Sequence, residues 1–230
     1  MKPETIQSMV LHRDGLVLVL NKPAGIPVHV GPGGGENLEQ YFTHLQYGWG
    51  KPPALAHRLD RDTSGCLVLG RHPKALRKLG RLFSDGKVDK TYWAVIQGHL
   101  SQTKGTINLP LAKHSTAKHG WRMEVDEAEG KASVTDYEVL GTSDTHSWVA
   151  CYPRTGRTHQ IRVHLAALGH PIVGETIYAG RALDDTSQPT LHLHSRRIVL
   201  PLSASKPATD VSAPPPDHML ELLKACGLSD

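Results

Sequence analysis

Residues 57–69 read HRLDRDTSGCLVL, in which a dense polar turn runs directly into an apolar segment. The apolar part, residues 66–69, has the length and composition of a buried strand. The polar part places two acids, two cations and two hydroxyls in front of that strand. Asp60 lies in this part, and an acid beside a buried strand needs a partner to remain charged. The stretch therefore predicts a buried strand entered through a turn, and it makes Asp60 a candidate functional residue.

Asp62 lies in the same turn and has two interpretations of about equal weight. It can close the turn, together with Thr63 and Ser64, by hydrogen-bonding its own backbone. It can also take part in function. The residue types in the turn are compatible with both interpretations.

A second polar cluster, RTGRTHQIRVHL at residues 154–165, supplies a candidate partner for Asp60. We expect a helix over about residues 158–168, ended by Gly169 and Pro171. An arginine on a helix is more often at the surface, but the buried type of acid at Asp60 favours an ion pair between Asp60 and Arg162. Positions three and four apart are neighbours on a helix, so one face of this helix would consist of Thr158, Ile161, Arg162 and Leu165.

The remaining turn signals and periodicities predict a mixed α+β fold around one largely antiparallel sheet. An Asp-Gly pair at residues 14–15 indicates a tight hairpin. We expect a plain mobile loop at residues 31–35 rather than a phosphate-binding loop, since the Lys-Ser/Thr ending of a P-loop is missing. The predicted strands are 8–13, 16–21, 66–69, 88–97, 133–140, 148–152 and 191–202, and the predicted helices are 36–45, 73–83, 158–168 and 217–226.

The composition permits a nucleic-acid partner without requiring one. The net charge is +4 and the pI about 9.0, a balance that many proteins without a polyanionic ligand share. Only two Phe residues are present, which disfavours a surface built from repeated base stacking. Contacts to RNA would therefore depend on Arg, Lys and shape. Arg154 and Arg157 suit phosphate contact because they precede a predicted helix, whose N-terminus also favours anions.

Other features of the composition indicate a cytoplasmic protein with unpaired thiols. No stretch approaches the roughly 18 apolar residues of a membrane span, and the first residues lack the apolar centre of a signal peptide. We therefore expect a cytoplasmic location without a membrane partner. Cys66, Cys151 and Cys226 are odd in number and scattered, which predicts free buried thiols rather than a disulfide framework.

The chain has fifteen histidines, and their spacing argues against a metal site. His159 and His164 are five residues apart with no acid between them, whereas a helical zinc pair needs a separation of about four and a nearby general base. His192 and His194 would share one face of a strand and could chelate a metal. We favour packing or RNA contact for them, and a metal-dependent hydrolase built on the histidines stays as an alternative.

Four segments resemble the RluA-type pseudouridine synthases, which modify ribosomal and transfer RNA. Residues 57–65 resemble the H-R-L-D-x-x-T-S-G signature of that family. The other motifs follow in the family's order: NKPAG at 21–25, KTYWA at 90–94, and TGRTHQIRVH at 155–164 with Gly169-His170-Pro171 and Tyr178. The resemblance covers about residues 10–202.

The resemblance implies one catalytic domain, at residues 1–202, with a long mixed sheet flanked by helices and a central RNA-binding cleft. Residues 203–230 would form a Pro/Ser/Ala-rich linker and a short C-terminal helix. The implied reaction is the isomerisation of uridines in structured RNA, without cofactor or metal. The resemblance assigns Asp60 to the catalytic aspartate, Tyr92 to the tyrosine that stacks on the base, and Arg162 to the arginine that pairs with the aspartate.

We expect the RNA to contact the same motifs. Arg58 either fills the place that a flipped uridine leaves in the stack or forms a structural salt bridge, for example with Asp62; the two interpretations have equal weight. The residues that we expect to bind RNA are His57, Arg58, Arg154, Arg157 and His159.

Two positions depart from the family pattern, and both lie outside the three catalytic positions. Glu175 stands where the family usually has Asp, and Ser195 where Ala is usual. We expect both to affect local packing rather than activity.

The expected protein is a monomer without an obligate protein partner. It shows no sign of the N-terminal RNA-binding domain that many relatives carry, so substrate selection would lie within the catalytic domain. A catalytically silent RNA-binding or RNA-folding protein is the main alternative, and the presence of Asp60, Tyr92 and Arg162 together argues against it.

Overall fold

The computed structural model describes residues 1–31, 34–116, 120–179 and 189–229. Pro32 and Gly33, within the predicted mobile loop, lie outside the described residues. The chain forms two compact units, Met1–Lys90 with His194–Pro215 and Thr91–Leu193 with Pro216–Asp230.

The helices are α1 (Pro3–Ser8), α2 (Pro73–Ser84), α3 (Gln160–Ala167) and α4 (Asp217–Ala225), with a 3-10 helix at Leu38–Leu45. The strands are β1 (Val10–Arg13), β2 (Val17–Lys22), β3 (Ala54–Leu55), β4 (Ser64–Gly70), β5 (Asp89–Gln97), β6 (Lys104–Asn108), β7 (Leu111–Thr116), β8 (Gly120–Val125), β9 (Val134–Thr142), β10 (His146–Pro153), β11 (Leu193–Leu200) and β12 (Thr209–Ser212).

The first unit is built on a mixed sheet in which β4 is buried along its whole length. Strands β2 and β3 pair with β4 in the antiparallel sense, whereas β11 runs parallel to it, with His194 opposite Ser64. Strand β12 pairs with the other part of β11. Ala75 and Leu79 bury the inner face of α2, because apolar residues four apart lie on one face of a helix. The apolar character of β4 follows from its burial on both faces.

The second unit is built on antiparallel strands, with β10 between β5 and β9, and β6 beside β9. Strands β7 and β8 form a separate hairpin. In α3 every residue from Gln160 to Leu165 is buried, and Met219 and Leu223 of α4 join a core cluster with Trp148. The C-terminal helix is therefore part of the core of this unit.

The structure confirms the predicted mixed α+β class and the hairpin at Asp14-Gly15. The Asp14 carboxylate accepts hydrogen bonds from the backbone N of Leu16 and of Val17, at 2.6 and 2.7 Å, and this closes the turn between β1 and β2. The prediction for residues 158–168 is wrong at its start, since α3 begins at Gln160 and Thr158 lies outside it. Six elements were not predicted from the sequence: α1, β3, β6, β7, β8 and β12.

The three cysteines are free and buried, as predicted. Burial raises the pKa of the Cys66 thiol and of the Cys151 thiol to about 12. Within the described residues, none of the helices has the length and apolar character needed to cross a membrane.

Candidate active site

A buried lysine organises the turn that contains Asp60. Lys22, at the end of β2, is fully buried, and its Nζ donates hydrogen bonds to the backbone oxygens of Pro23, Ile26 and Arg61, each at 2.8 Å. Burial lowers the pKa of Lys22 to about 8, against the opposing effect of the charges on Asp62 and Asp60. The ammonium thus joins the NKPAG segment to the HRLDRDTSG segment through Lys22 and Arg61, which are 39 positions apart in the sequence.

Asp60 lies half-buried in that turn, and its backbone oxygen accepts a hydrogen bond from the backbone N of Thr63 at 3.2 Å. The carboxylate of Asp62 accepts hydrogen bonds from Nε and Nη2 of Arg61, at 3.0 and 3.2 Å. Asp62 therefore pairs with Arg61 and not with Arg58, whose side chain is exposed. Asp62, the example given of a partner for a structural salt bridge with Arg58, is thus engaged by Arg61 instead.

The glycine of the signature is fixed by the close approach of β11. Gly65 has a φ of 103°, in a region that L side chains rarely adopt. A Cβ at this position would lie 2.8 Å from the backbone C and N of Ser195 and closer still to its oxygen. The Ser195 hydroxyl, where the family pattern has Ala, donates to the backbone oxygen of Cys66 at 3.4 Å. The hydroxyl that this departure introduces therefore has a hydrogen-bond acceptor.

His57 is held by the fold. Its Nε2 accepts a hydrogen bond from the backbone N of Val68 at 3.0 Å, and its ring stacks on Phe83 with centroids 4.7 Å apart. Burial, together with the charge of Lys90, lowers the pKa of His57 to about 3. His57 is therefore neutral at pH 7 and anchors the start of the signature to β4.

In the second unit, Arg162 of α3 forms a buried bidentate ion pair with Glu175. The Arg162 Nε and Nη2 each lie 2.7 Å from a Glu175 oxygen, and the two side chains are 5% and 0% exposed. Glu175 Oε1 also accepts the backbone N of Ile177 at 2.9 Å and of Tyr178 at 3.3 Å. Burial opposes the charge on Glu175, but these hydrogen bonds and the Arg162 charge lower its pKa. The pair fixes the guanidinium of Arg162 in one orientation.

Tyr178 links this pair to His159. The Arg162 guanidinium carbon lies 5.4 Å from the centre of the Tyr178 ring, a cation–π distance. The Tyr178 hydroxyl lies 2.6 Å from Nδ1 of His159. The His159 ring also stacks on Trp121 of β8, with centroids 5.6 Å apart. His159, predicted to contact RNA, thus lies in a cluster of aromatic rings.

The two arginines predicted to bind phosphate make different contacts. Arg154 pairs with Asp136, at 2.5 and 2.9 Å, and its side chain is 65% exposed. Arg157 is exposed and donates from Nε to the backbone oxygen of Ala132 at 3.3 Å. Part of the donor fork of each side chain is therefore directed at the protein itself.

Tyr92 lies on β5, where its backbone is opposite Cys151 of β10. Its side chain is half-buried and packs against the core cluster of the second unit. The three predicted catalytic residues thus divide between the units: Asp60 belongs to the first, and Tyr92 and Arg162 belong to the second.

Residues 16–167 match the family model for RNA pseudouridylate synthases. The chain belongs to that family. An uncharacterized RNA pseudouridine synthase of Zymomonas mobilis is 44% identical, over 86% of this chain and 92% of the relative. Ribosomal large subunit pseudouridine synthase D of Borreliella burgdorferi is 33% identical, over 86% of this chain and 62% of its own length. The solved structure of human RNA pseudouridylate synthase domain containing 4 is similar, with a TM-score of 0.80 and 25% identity over 99% of this chain and 96% of that chain.

Membership of the pseudouridine synthase family confirms the predicted enzyme class, an isomerase. Within the described ranges, no group of three or more His, Cys, Asp or Glu residues is arranged to hold a metal ion. His194 Nδ1 instead lies 2.8 Å from the Ser64 hydroxyl, and His192 Nδ1 lies 2.8 Å from the backbone oxygen of Thr190.

Two residues of this pseudouridine synthase were missed as parts of the site. Glu175 was assigned to local packing, yet its carboxylate orients Arg162. Lys22 was read only as part of a motif, although it holds the turn of Asp60. The signal for both was a charged residue among apolar neighbours, at VLVLNK in residues 17–22 and PIVGE in residues 171–175, the same signal that singled out Asp60.

Proposed function

We propose that this pseudouridine synthase isomerises specific uridines of ribosomal or transfer RNA, with Asp60 as its catalytic carboxylate. The observation that carries the proposal is the position of Asp60 in a turn fixed by the buried Lys22 ammonium, inside the range that matches the family. Ribosomal RNA is the first substrate to test, because the Borreliella relative is named for the large ribosomal subunit.

The reaction breaks the bond between N1 of uracil and C1′ of ribose and forms a bond between C5 and C1′. C5 loses its proton to solvent and N1 gains one, so no oxidant or reductant is consumed. An ionised carboxylate can add to the sugar or to the base, or take a proton from the ribose. Asp60 is proposed for this role.

Two residues of the second unit complete the proposal. Tyr92 would cover the detached uracil so that it remains to be rejoined, and could assist removal of the C5 proton. The Asp60–Arg162 ion pair remains a prediction from the sequence. A cation beside a carboxylate lowers the pKa of that carboxylate and keeps it charged, and the bidentate contact with Glu175 supports this role by orienting Arg162.

A uridine in folded RNA is stacked, so the enzyme must extrude the nucleotide at an expense of roughly a few kcal/mol. Contacts between phosphates and basic side chains offset this energy. Arg58, Arg154, Arg157 and His159 are proposed to make such contacts. The exposed side chain of Arg58 is available to fill the vacated place in the stack.

The test is the release of tritium from RNA labelled at C5 of uridine. Asp60→Asn should abolish release and leave RNA affinity nearly unchanged, because the amide keeps the shape of the side chain without its charge. Asp62→Asn is the matched control in the same turn and should retain most of the activity.

Residual turnover of Asp60→Asn within tenfold of the parent would contradict the assignment of Asp60. A parent enzyme that binds ribosomal and transfer RNA without releasing tritium would instead support the catalytically silent alternative. Activity that EDTA abolishes and zinc restores would support the histidine-based hydrolase. Mapping pseudouridines in total RNA with and without the gene would identify the substrate.

A further inference from the structure

The outer face of α2 carries four cations in one stripe. Lys74, Arg77, Lys78 and Arg81 are three or four positions apart and all exposed, so they lie within a sector of about 100° of the helix surface. The opposite side of the helix is buried through Ala75 and Leu79. From Lys74 to Arg81 the stripe is roughly 10 Å long, at about 1.5 Å per residue. The helix presents one continuous basic edge.

Six exposed cations elsewhere in the chain each pair with a neighbouring acid: Arg61 with Asp62, Lys87 with Asp85, Lys104 with Glu138, Arg122 with Glu124, Arg154 with Asp136 and Arg197 with Asp210. In the part of the chain that the structure describes, no salt bridge involves any of the four α2 cations. No acid occurs within α2 itself.

A purely structural role would not favour such an arrangement. Like charges three or four positions apart on a helix destabilise it. Lys74 also lies in the first turn, where the partial positive charge of the helix N-terminus favours an acid rather than a cation. The stripe therefore reduces the stability of α2. A bound polyanion would offset this loss by neutralising the repulsion between the cations.

An exposed aromatic ring lies at the start of the stripe. Trp49 is 41% exposed, and its ring stacks on His72 with centroids 5.4 Å apart. His72 is the N-cap of α2, since its Nδ1 accepts a hydrogen bond from the backbone N of Ala75 at 3.2 Å. The Arg71 guanidinium carbon lies 5.1 Å from the centre of the Trp49 ring. An exposed ring beside cations suits an unpaired base.

We infer that the outer face of α2, with Trp49 at its start, is a second RNA-binding surface that holds phosphates of the substrate outside the catalytic turn. Asp60 and α2 flank opposite ends of β4, which spans Ser64–Gly70. At roughly 3.3 Å per residue, strand β4 separates its two ends by about 20 Å. One strand of duplex DNA advances roughly 3.4 Å per nucleotide along the helix axis, and on a nucleic-acid strand of similar spacing the stripe would span about three phosphates. The inference rests on the proposed RNA substrate.

The first test is the salt dependence of binding to a labelled transcript of large-subunit ribosomal RNA. The double variant Lys74→Gln/Lys78→Gln should lower the log-log salt slope by roughly 1.4 to 1.8, at about 0.7 to 0.9 per lost phosphate contact. Near 0.15 M salt this corresponds to an affinity loss of roughly tenfold or more. The matched control is Lys2→Gln/Lys206→Gln, which removes two exposed cations from the same unit; it should leave the slope close to that of the parent.

A charge reversal separates binding from folding. Lys74→Glu places an acid in the first turn of α2, four residues before Lys78, and both changes favour the helix. We expect an equal or higher melting temperature together with weaker RNA binding. Trp49→Leu should lower affinity by roughly fivefold or more, the range for one base stack, with an unchanged salt slope because no phosphate contact is lost.

The outcomes distinguish this inference from the proposed function. Normal tritium release by the parent, combined with an unchanged salt slope in Lys74→Gln/Lys78→Gln, would overturn the α2 surface alone. A parent that binds the transcript with a slope sensitive to Lys74 and Lys78 but releases no tritium would overturn the proposed activity and support the surface. An RNA affinity of Trp49→Leu equal to that of the parent would show that Trp49 is not part of the α2 surface.

Discussion

Replacing Glu175 by Gln should destabilise the second unit and disturb the orientation of Arg162. The Glu175 Oε2 that accepts the Arg162 Nε bond at 2.7 Å becomes an NH2 group, which cannot accept a hydrogen bond. The Arg162 guanidinium also loses the negative charge that compensates it, and the Arg162 side chain is only 5% exposed to solvent. Breaking a buried ion pair by removing one partner costs about 3–5 kcal/mol of unfolding free energy. In a chain of this size that is roughly 6–20 °C in Tm.

The same carboxylate should make stability depend on pH. The pKa of Glu175 in the folded chain lies below the ordinary value of 4.5. Its contribution to stability is therefore fully present above about pH 4.5 and is lost as the pH falls through the folded pKa. Glu175→Gln should lack this part of the acid dependence, so its stability should approach that of the parent in strong acid.

Urea unfolding followed by tryptophan fluorescence, at pH 7 and in a series towards pH 3, measures both effects. The control is Glu138→Gln in the same unit. The Glu138 side chain is 34% exposed and pairs with Lys104, so this change should lower the free energy of unfolding by less than about 1 kcal/mol. Glu175→Asp introduces the residue that is usual in the family and keeps the negative charge. Its free energy of unfolding should lie between those of the parent and of Glu175→Gln. A Glu175→Gln variant within about 1 kcal/mol of the parent, with the parent's acid dependence, would refute the reasoning.

Three further predictions concern the first unit. Lys22→Met should lower stability by about 2–4 kcal/mol in urea unfolding, because three carbonyl groups lose their buried donor while the burial of an ammonium is relieved; an unchanged midpoint would contradict this. Gly65→Ala should lower stability by roughly 2–5 kcal/mol, because the energetic cost of the positive φ adds to the cost of the clash with Ser195. A melting temperature equal to that of the parent would be inconsistent with the observed approach of the strands. Arg58→Ala should slow tritium release from a folded stem-loop far more than from a short unstructured RNA carrying the same uridine, whereas equal losses with a lowered melting temperature would assign Arg58 to the fold.

The parts of the fold that the sequence predicted are those with a local signal. Strand β4 follows from an uninterrupted apolar run, and the β1–β2 turn follows from Asp14-Gly15, whose side chain and backbone close the turn without outside help. Strands β7 and β8 carry polar residues on exposed positions, so no apolar alternation reveals them. Strand β12 is defined by its pairing with β11, a contact that the Pro-rich composition around it conceals.

The start of α3 shows why helical periodicity was insufficient at the site. His159 has a φ of 54°, which no continuous helix permits. The Gln160 side chain accepts hydrogen bonds from the Thr155 hydroxyl and the Arg157 backbone N, at 2.7 and 3.0 Å, and this holds residues 155–159 as a turn. Burial of Arg162 was expected from a shared face with Thr158. Instead, all residues from Gln160 to Leu165 are buried, and the charge of Arg162 is compensated by Glu175, thirteen residues away.

The burial of Cys66 and Cys151 makes these two thiols resistant to alkylation in the folded chain, because the thiolate is the reactive form and a pKa of about 12 leaves little of it at neutral pH. Modification must then wait until the surrounding core opens. Cys66 belongs to the first unit and Cys151 to the second. Cys66 and Cys151 thus provide one chemical reporter for each unit, and the order in which a pulse of iodoacetamide marks these two residues, read by peptide mass, would show which unit opens first.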